Sequence, residues 1–70
     1  MNRTEISSSN IKSVGYDKQT RILEVEFNNN QVYQYYDVED RVFSELMSAE
    51  SKGKYFYENI RKNYSYFKVN

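Results

Sequence analysis

Thr20-Arg21-Ile22-Leu23-Glu24-Val25-Glu26-Phe27-Asn28-Asn29-Asn30-Gln31-Val32-Tyr33-Gln34-Tyr35-Tyr36-Asp37 alternates with a period of two, and this alternation decides the fold class. Leu23, Val25 and Phe27 fall on one side of an extended segment, with Ile22, Glu24 and Glu26 on the other. That is the pattern of a strand with one face in the core and one toward water. The asparagine triplet 28–30 interrupts the alternation, and asparagine tolerates the left-handed backbone that a tight hairpin requires, so a turn is predicted there. Extended structure resumes at Gln31, with Tyr33 and Tyr35 on one side and Val32, Gln34 and Tyr36 on the other.

Working upstream, Ile11 to Tyr16 reads as a preceding strand closed by a turn at Asp17-Lys18-Gln19-Thr20. Thr4 to Ser7 adds a short edge strand to the count, and Ser8-Ser9-Asn10 is either a turn or a frayed arm. Downstream the period changes at Asp37, which is suited to cap the amides of a helix start, with Asp40 three residues on. Val38, Val42, Phe43, Leu46 and Met47 recur at helical spacing and predict an amphipathic helix of about three turns. Ser51 marks a cap or bend before Gly53. Phe56, Ile60 and Tyr64 then mark a second helix, with Tyr57, Arg61 and Tyr64 on the adjoining stripe. Ser65 to Asn70 reads as a tail that either docks through Phe67 or frays. The expected architecture is α+β: an antiparallel meander of three strands, four if Thr4–Ser7 joins, followed by two helices packed on one face.

Seventy residues form one domain, near the lower limit for a self-supporting core. The chain has no cysteine, histidine, proline or tryptophan, but it has eight tyrosines and four phenylalanines. Disulfides and zinc staples are therefore excluded, no cofactor or metal site is expected, and the aromatic rings must supply much of the buried area. Without histidine, and with no spacing that assembles nucleophile, base and orienting group, an enzyme is not expected. No apolar run approaches the roughly 20 residues that cross a bilayer, and no secretory leader is visible, so a cytoplasmic protein without membrane contact is expected.

The formal net charge is zero but its distribution is uneven. Arg41 stands alone among Glu24, Glu26, Asp37, Glu39, Asp40, Glu45 and Glu50. Beyond residue 50, Lys52, Lys54, Arg61, Lys62 and Lys68 face only Glu58. Three constellations follow. Ser51-Lys52-Gly53-Lys54-Tyr55 at a helix start has the parts of a phosphate contact: free amides, a glycine and two lysines; it is also an ordinary capped turn. Arg61, Lys62 and Tyr64, with Tyr57 one turn earlier, interleave cations with aromatic faces, as a phosphate backbone with stacking bases requires. The bland reading is a solvated helix face. Tyr33 and Tyr35 are either core filling beside Leu23, Val25 and Phe27, a stacking platform for unpaired bases, or one of each.

Ser9-Asn10-Ile11, Val14-Gly15-Tyr16-Asp17, Leu23-x-Val25-x-Phe27, Tyr33-x-Tyr35 and Ser51-x-Gly53-x-Tyr55-Phe56, followed by Ile60-Arg61 and Tyr64, together resemble the KTSC domain over residues 7 to 66. That short domain occurs at the C-terminus of some lysyl-tRNA synthetases and alone in small bacterial and phage proteins. The chain departs from the family pattern at Glu39, where a proline is usual, and at Asn30, where a glycine is usual. Both substitutes suit their expected geometry, a first helical turn and a left-handed turn position. The resemblance carries no catalytic or ligand residues across, since the family's function is not established; its attachment to a tRNA synthetase suggests RNA.

Two functions are consistent with these residues. One is a small module binding RNA or a nucleotide, with Lys52, Gly53, Lys54, Arg61 and Lys62 at phosphate and Tyr57 and Tyr64 stacking. The other is an interaction protein whose partner is another protein or a second copy of itself.

Overall fold

A computed structural model describes residues 1–70. The alternation at Ile22–Phe27 forms a strand, and the hairpins on either side extend it into one antiparallel sheet whose spatial order equals its chain order. The strands are β1 (Thr4–Glu5), β2 (Ile11–Asp17), β3 (Ile22–Phe27), β4 (Val32–Tyr35) and β5 (Tyr66–Lys68). Helices α1 (Asp40–Ser48) and α2 (Lys52–Asn59) lie between β4 and β5. The architecture is α+β, as the sequence predicts.

Register sets which residues meet the helices. Leu23 stands opposite Tyr35 and Val25 opposite Tyr33 across β3–β4, while Val14 stands opposite Val25 across β2–β3. A register shift between Ile11 and Ser13 inserts one extra residue into β2. Such a bulge switches the side on which the following residues project, so Ile11 and Val14 both reach the helix side despite their odd spacing. These residues pack with Val38, Val42, Leu46, Phe56 and Ile60 into one core cluster. Leu23, Val25, Leu46 and Ile60 are fully buried.

Both hairpin turns are held by short polar side chains. The Asp17 carboxylate accepts from the amides of Gln19 and Thr20, and the Thr20 side chain, followed by the Gln19 amide, lowers its pKa. Asn30 adopts φ 71°, the left-handed geometry expected of the triplet, and its amide donates to the Phe27 carbonyl.

The helix boundaries differ from expectation at two places. Asp37 does not cap α1. It turns the chain at φ 58°, and the next amide, Val38, donates to the Arg21 carbonyl, so this stretch is tied to the β2–β3 turn. The helix begins at Asp40 with Glu39 as its extended N-cap. Helix α2 ends at Asn59, so Arg61, Lys62 and Tyr64 follow the helix instead of lying on it. The tail does not fray: Tyr66 pairs with Tyr35 and Lys68 with Tyr33, which adds β5 to the sheet edge.

Candidate functional site

Phe27, Tyr33 and Tyr35 project from the sheet toward α2 and close an aromatic cluster with Phe56 and Tyr66. Tyr35 meets Phe56 edge-on at 5.3 Å, Phe27 meets Tyr33 edge-on at 5.7 Å, and Tyr66 leans on both Tyr33 and Tyr35. The two tyrosines of the Tyr33-x-Tyr35 pair have different roles. Tyr35 is 4% exposed, and burial, reinforced by the Tyr33 and Tyr66 hydroxyls, pushes its phenol up to about 12. Tyr33, half-buried, shows one edge to an open groove of about 710 Å³.

The groove runs between the sheet and α2. Gly53 and Tyr57 of α2, and Arg61 just beyond its end, line one side, while Phe27 and Tyr33 form its floor. Its two ends differ in chemistry. At one, the hairpin turn contributes the carboxamides of Asn28, Asn29 and Gln31, joined by Asn10. Gly53 belongs to this end, since a Cβ on it would lie 3.1 Å from the Ser8 hydroxyl, and the Asn28 amide donates to the Ser8 and Ser9 carbonyls. At the other end stand Arg61, Lys62 and Tyr66. The Arg61 guanidinium lies 5.1 Å and the Lys62 ammonium 5.6 Å from the centre of the Tyr57 ring, a cation–π arrangement that holds both charges at the mouth.

Of the residues nominated from sequence, the fold gathers Gly53, Tyr57, Arg61 and Lys62 at this groove and leaves three elsewhere. Lys52 donates to the Ala49 carbonyl at 3.1 Å, which sets its charge at the C-terminal end of α1, and it lines a neighbouring recess together with Lys54. Lys54 stands in this recess of about 570 Å³ lined by Ser7, Ser8 and Ser9, which shares Asn10, Gly53 and Tyr57 with the groove. The Ser51 hydroxyl accepts from the Lys54 amide, the expected cap. Tyr64 donates to the Glu39 carboxylate at 2.7 Å; burial and this bond raise its pKa, and the same bond lowers that of Glu39. Tyr64 is a latch between the C-terminal segment and the start of α1, and its ring is not among those lining the groove.

Tyr66, Gln31 and Asn10 line the groove and were not nominated. Tyr66, 58% exposed, had one signal in the sequence: Tyr66-Phe67-Lys68 repeats on a small scale the alternation of a strand. Gln31 and Asn10 reach the site through the register of two hairpins, which no local pattern encodes.

The opposite side of the sheet carries the acidic residues. There Arg3 donates to Glu24 at 2.6 Å and stands 3.6 Å from Glu26, while Ser13 and Gln34 donate to the same two carboxylates. Glu24 and Glu26 thus have cationic and hydrogen-bonding partners within the chain. No helix is long and apolar enough to cross a membrane.

The family model of the KTSC domain matches residues 7–64. The chain is 36% identical over 70 residues to an uncharacterised protein of Stutzerimonas stutzeri (strain A1501), spanning 99% of both. It is 40% identical over 56 residues to a lysine–tRNA ligase of Trichormus variabilis, covering 80% of this chain and 10% of the ligase. Among solved structures, a KTSC domain protein from Yersinia pestis superposes with a TM-score of 0.96 at 39% identity, covering 99% of this chain and 97% of that one. Family match, relatives and superposition agree over nearly every element described above, and the chain belongs to the KTSC domain family.

Proposed function

We propose that this protein is a binding module for single-stranded RNA, with no catalytic step of its own, acting in the cytoplasm. One observation carries the reading. Arg61 and Lys62 are held over the Tyr57 ring at the mouth of a groove floored by Phe27 and Tyr33 and flanked by exposed Tyr66. Cations beside accessible aromatic faces are the means by which proteins hold unpaired strands: the charges take phosphates and the rings take bases. The similarity to a tenth of a lysine–tRNA ligase supports a setting in which RNA is at hand. In this reading Arg61 and Lys62 contact phosphate, Tyr57, Tyr66 and Tyr33 stack, and Lys54 lies where a following phosphate passes.

Titration of fluorescein-labelled RNA pentamers over a range of salt tests it. Binding weakens as salt rises; Arg61→Ala lowers the slope of log K against log salt by roughly 0.7, the value for one phosphate on a single strand. Tyr57→Ala costs roughly 1–3 kcal/mol of affinity by removing a stacking surface. Absence of salt-sensitive binding by the native protein at low salt ends the proposal.

Exposure of Phe67 (61%) and Val69 (42%) at and beside the edge strand β5 favours a second reading, a protein partner or a second copy paired along that edge. Light scattering across concentration separates the two, because edge pairing raises the mass without RNA.

A further inference from the structure

The groove is polarised, and its uncharged end is more than filling. Of the carboxamides there, two are committed by one atom each: the Asn28 amide nitrogen to the Ser8 and Ser9 carbonyls, the Asn29 oxygen to the Gln31 backbone amide. The side-chain amides of Gln31 and Asn10 have no hydrogen-bond partner within the chain, although both line the groove. Each offers a donor and an acceptor side by side, with no charge. At the opposite end, Arg61 and Lys62 offer donors and charge. Between them lie the faces and edges of Tyr33, Tyr57 and Phe27. A ligand satisfying all three zones has an anion at one end, a flat π-surface in the middle, and a paired donor and acceptor at the far edge. A nucleotide has these parts in this order.

Resting on the RNA-binding reading, we infer that the groove selects adenine, its Hoogsteen edge paired with the Gln31 and Asn10 carboxamides and its phosphate at Arg61 and Lys62. Carboxamides are the side chains that pair bidentately with adenine, whose amino group and adjacent ring nitrogen present the complementary donor and acceptor. An arginine or lysine in the groove lining there would favour guanine instead; the cations of that lining are Arg61 and Lys62, while Lys54 stands with Asn10 in the neighbouring recess. The charged end gives affinity without sequence preference and the amide end gives preference with little affinity, so the two separate by mutation.

The experiment compares labelled rA5, rU5 and rC5 with an A5 strand whose bases are N6,N6-dimethyladenine, which retains stacking surface but loses the amino donor. The native protein should bind rA5 about tenfold tighter than rU5, rC5 or the dimethylated strand, the effect of one bidentate pair. Gln31→Ala and Asn10→Ala should reduce that ratio toward one while leaving the salt slope unchanged, and circular dichroism confirms that both variants fold. Equal affinity for all four strands, or a preference that survives both substitutions, overturns the inference while leaving salt-dependent RNA binding intact. Failure to bind any strand removes the RNA reading itself.

Discussion

The two sides of this sheet are built by alternate residues of the same strands, yet one is closed and the other open. On the polar side, the N-terminal segment crosses close above β2: a Cβ at Gly15 would lie 2.6 Å from the Asn2 carbonyl oxygen. This approach lets Arg3 bridge Glu24 and Glu26, with Ser13 and Gln34 filling the remaining acceptor positions. On the aromatic side, Leu23 and Val25 are fully buried and Tyr35 nearly so, but Tyr33, Tyr57 and Tyr66 remain accessible. The difference teaches that charge alone does not locate the site. The acidic strand residues are answered within the chain, whereas rings on the hydrophobic side are left partly uncovered, beside two cations whose nearest partner is a tyrosine face.

The largest break in this comparison comes from the core. Leu23→Ala removes a fully buried side chain from beneath both helices and should cost roughly 2–5 kcal/mol, read as a lower urea midpoint. In a domain of this size that is a large share of the total, and a loss below 1 kcal/mol would show that the helix side is not what holds the sheet. Gly15→Ala strikes the other side. Its methyl group displaces the Asn2–Arg3 backbone and should cost roughly 1–3 kcal/mol, with faster tryptic cleavage after Arg3 and unaltered RNA affinity. Retained protection of Arg3 would mean that the N-terminal segment is not clamped there.

Changing pH sharpens the comparison with a smaller effect. Burial lifts Tyr35 to about 12 from its ordinary 10.0, and burial together with Glu45 lifts Tyr55 to about 12. The fold favours the neutral phenols, so their contribution is complete below about pH 10 and lost as pH climbs through about 12. Glu39 and Glu45 are lowered from 4.5 by the Tyr64 and Tyr55 hydroxyls, so their contribution is complete above that value and lost as pH falls through the lowered ones. Thermal midpoints should therefore plateau across neutrality and fall on both flanks, with Tyr35→Phe flattening the alkaline fall. An alkaline limb identical in Tyr35→Phe would exclude this ring as its source.

Much of the fold is legible in the residues. The β2–β3–β4 meander and the existence of both helices follow from period and turn chemistry, since each depends on neighbours in sequence. The rest depends on distant partners. Strand β5 is three residues long and forms only because Tyr35 and Tyr33 are waiting for Tyr66 and Lys68. Asp37 looks like a cap in isolation; its left-handed turn is fixed by the Val38 bond to Arg21. Tyr64 sits at the right spacing to extend α2, but the chain leaves the helix and its hydroxyl finds Glu39. Lys52 carried the charge expected at a phosphate site and is used on the Ala49 carbonyl. At the site, Tyr57, Arg61 and Lys62 could be nominated because they are close in sequence, and they stay together although the helix ends at Asn59, while Gln31, Asn10 and Tyr66 enter only through strand register.

Strand β5 also sets a timetable. Every other strand pairs with the one made just before it, whereas the β4 edge must wait for two helices and a turn to emerge before Ser65–Asn70 arrives. In a chain that ends before residue 65 the outer margin of β4 therefore stays bare. Such a chain carries an unfinished sheet able to pair with a second copy, so truncation there would yield insoluble product where the longer chain folds.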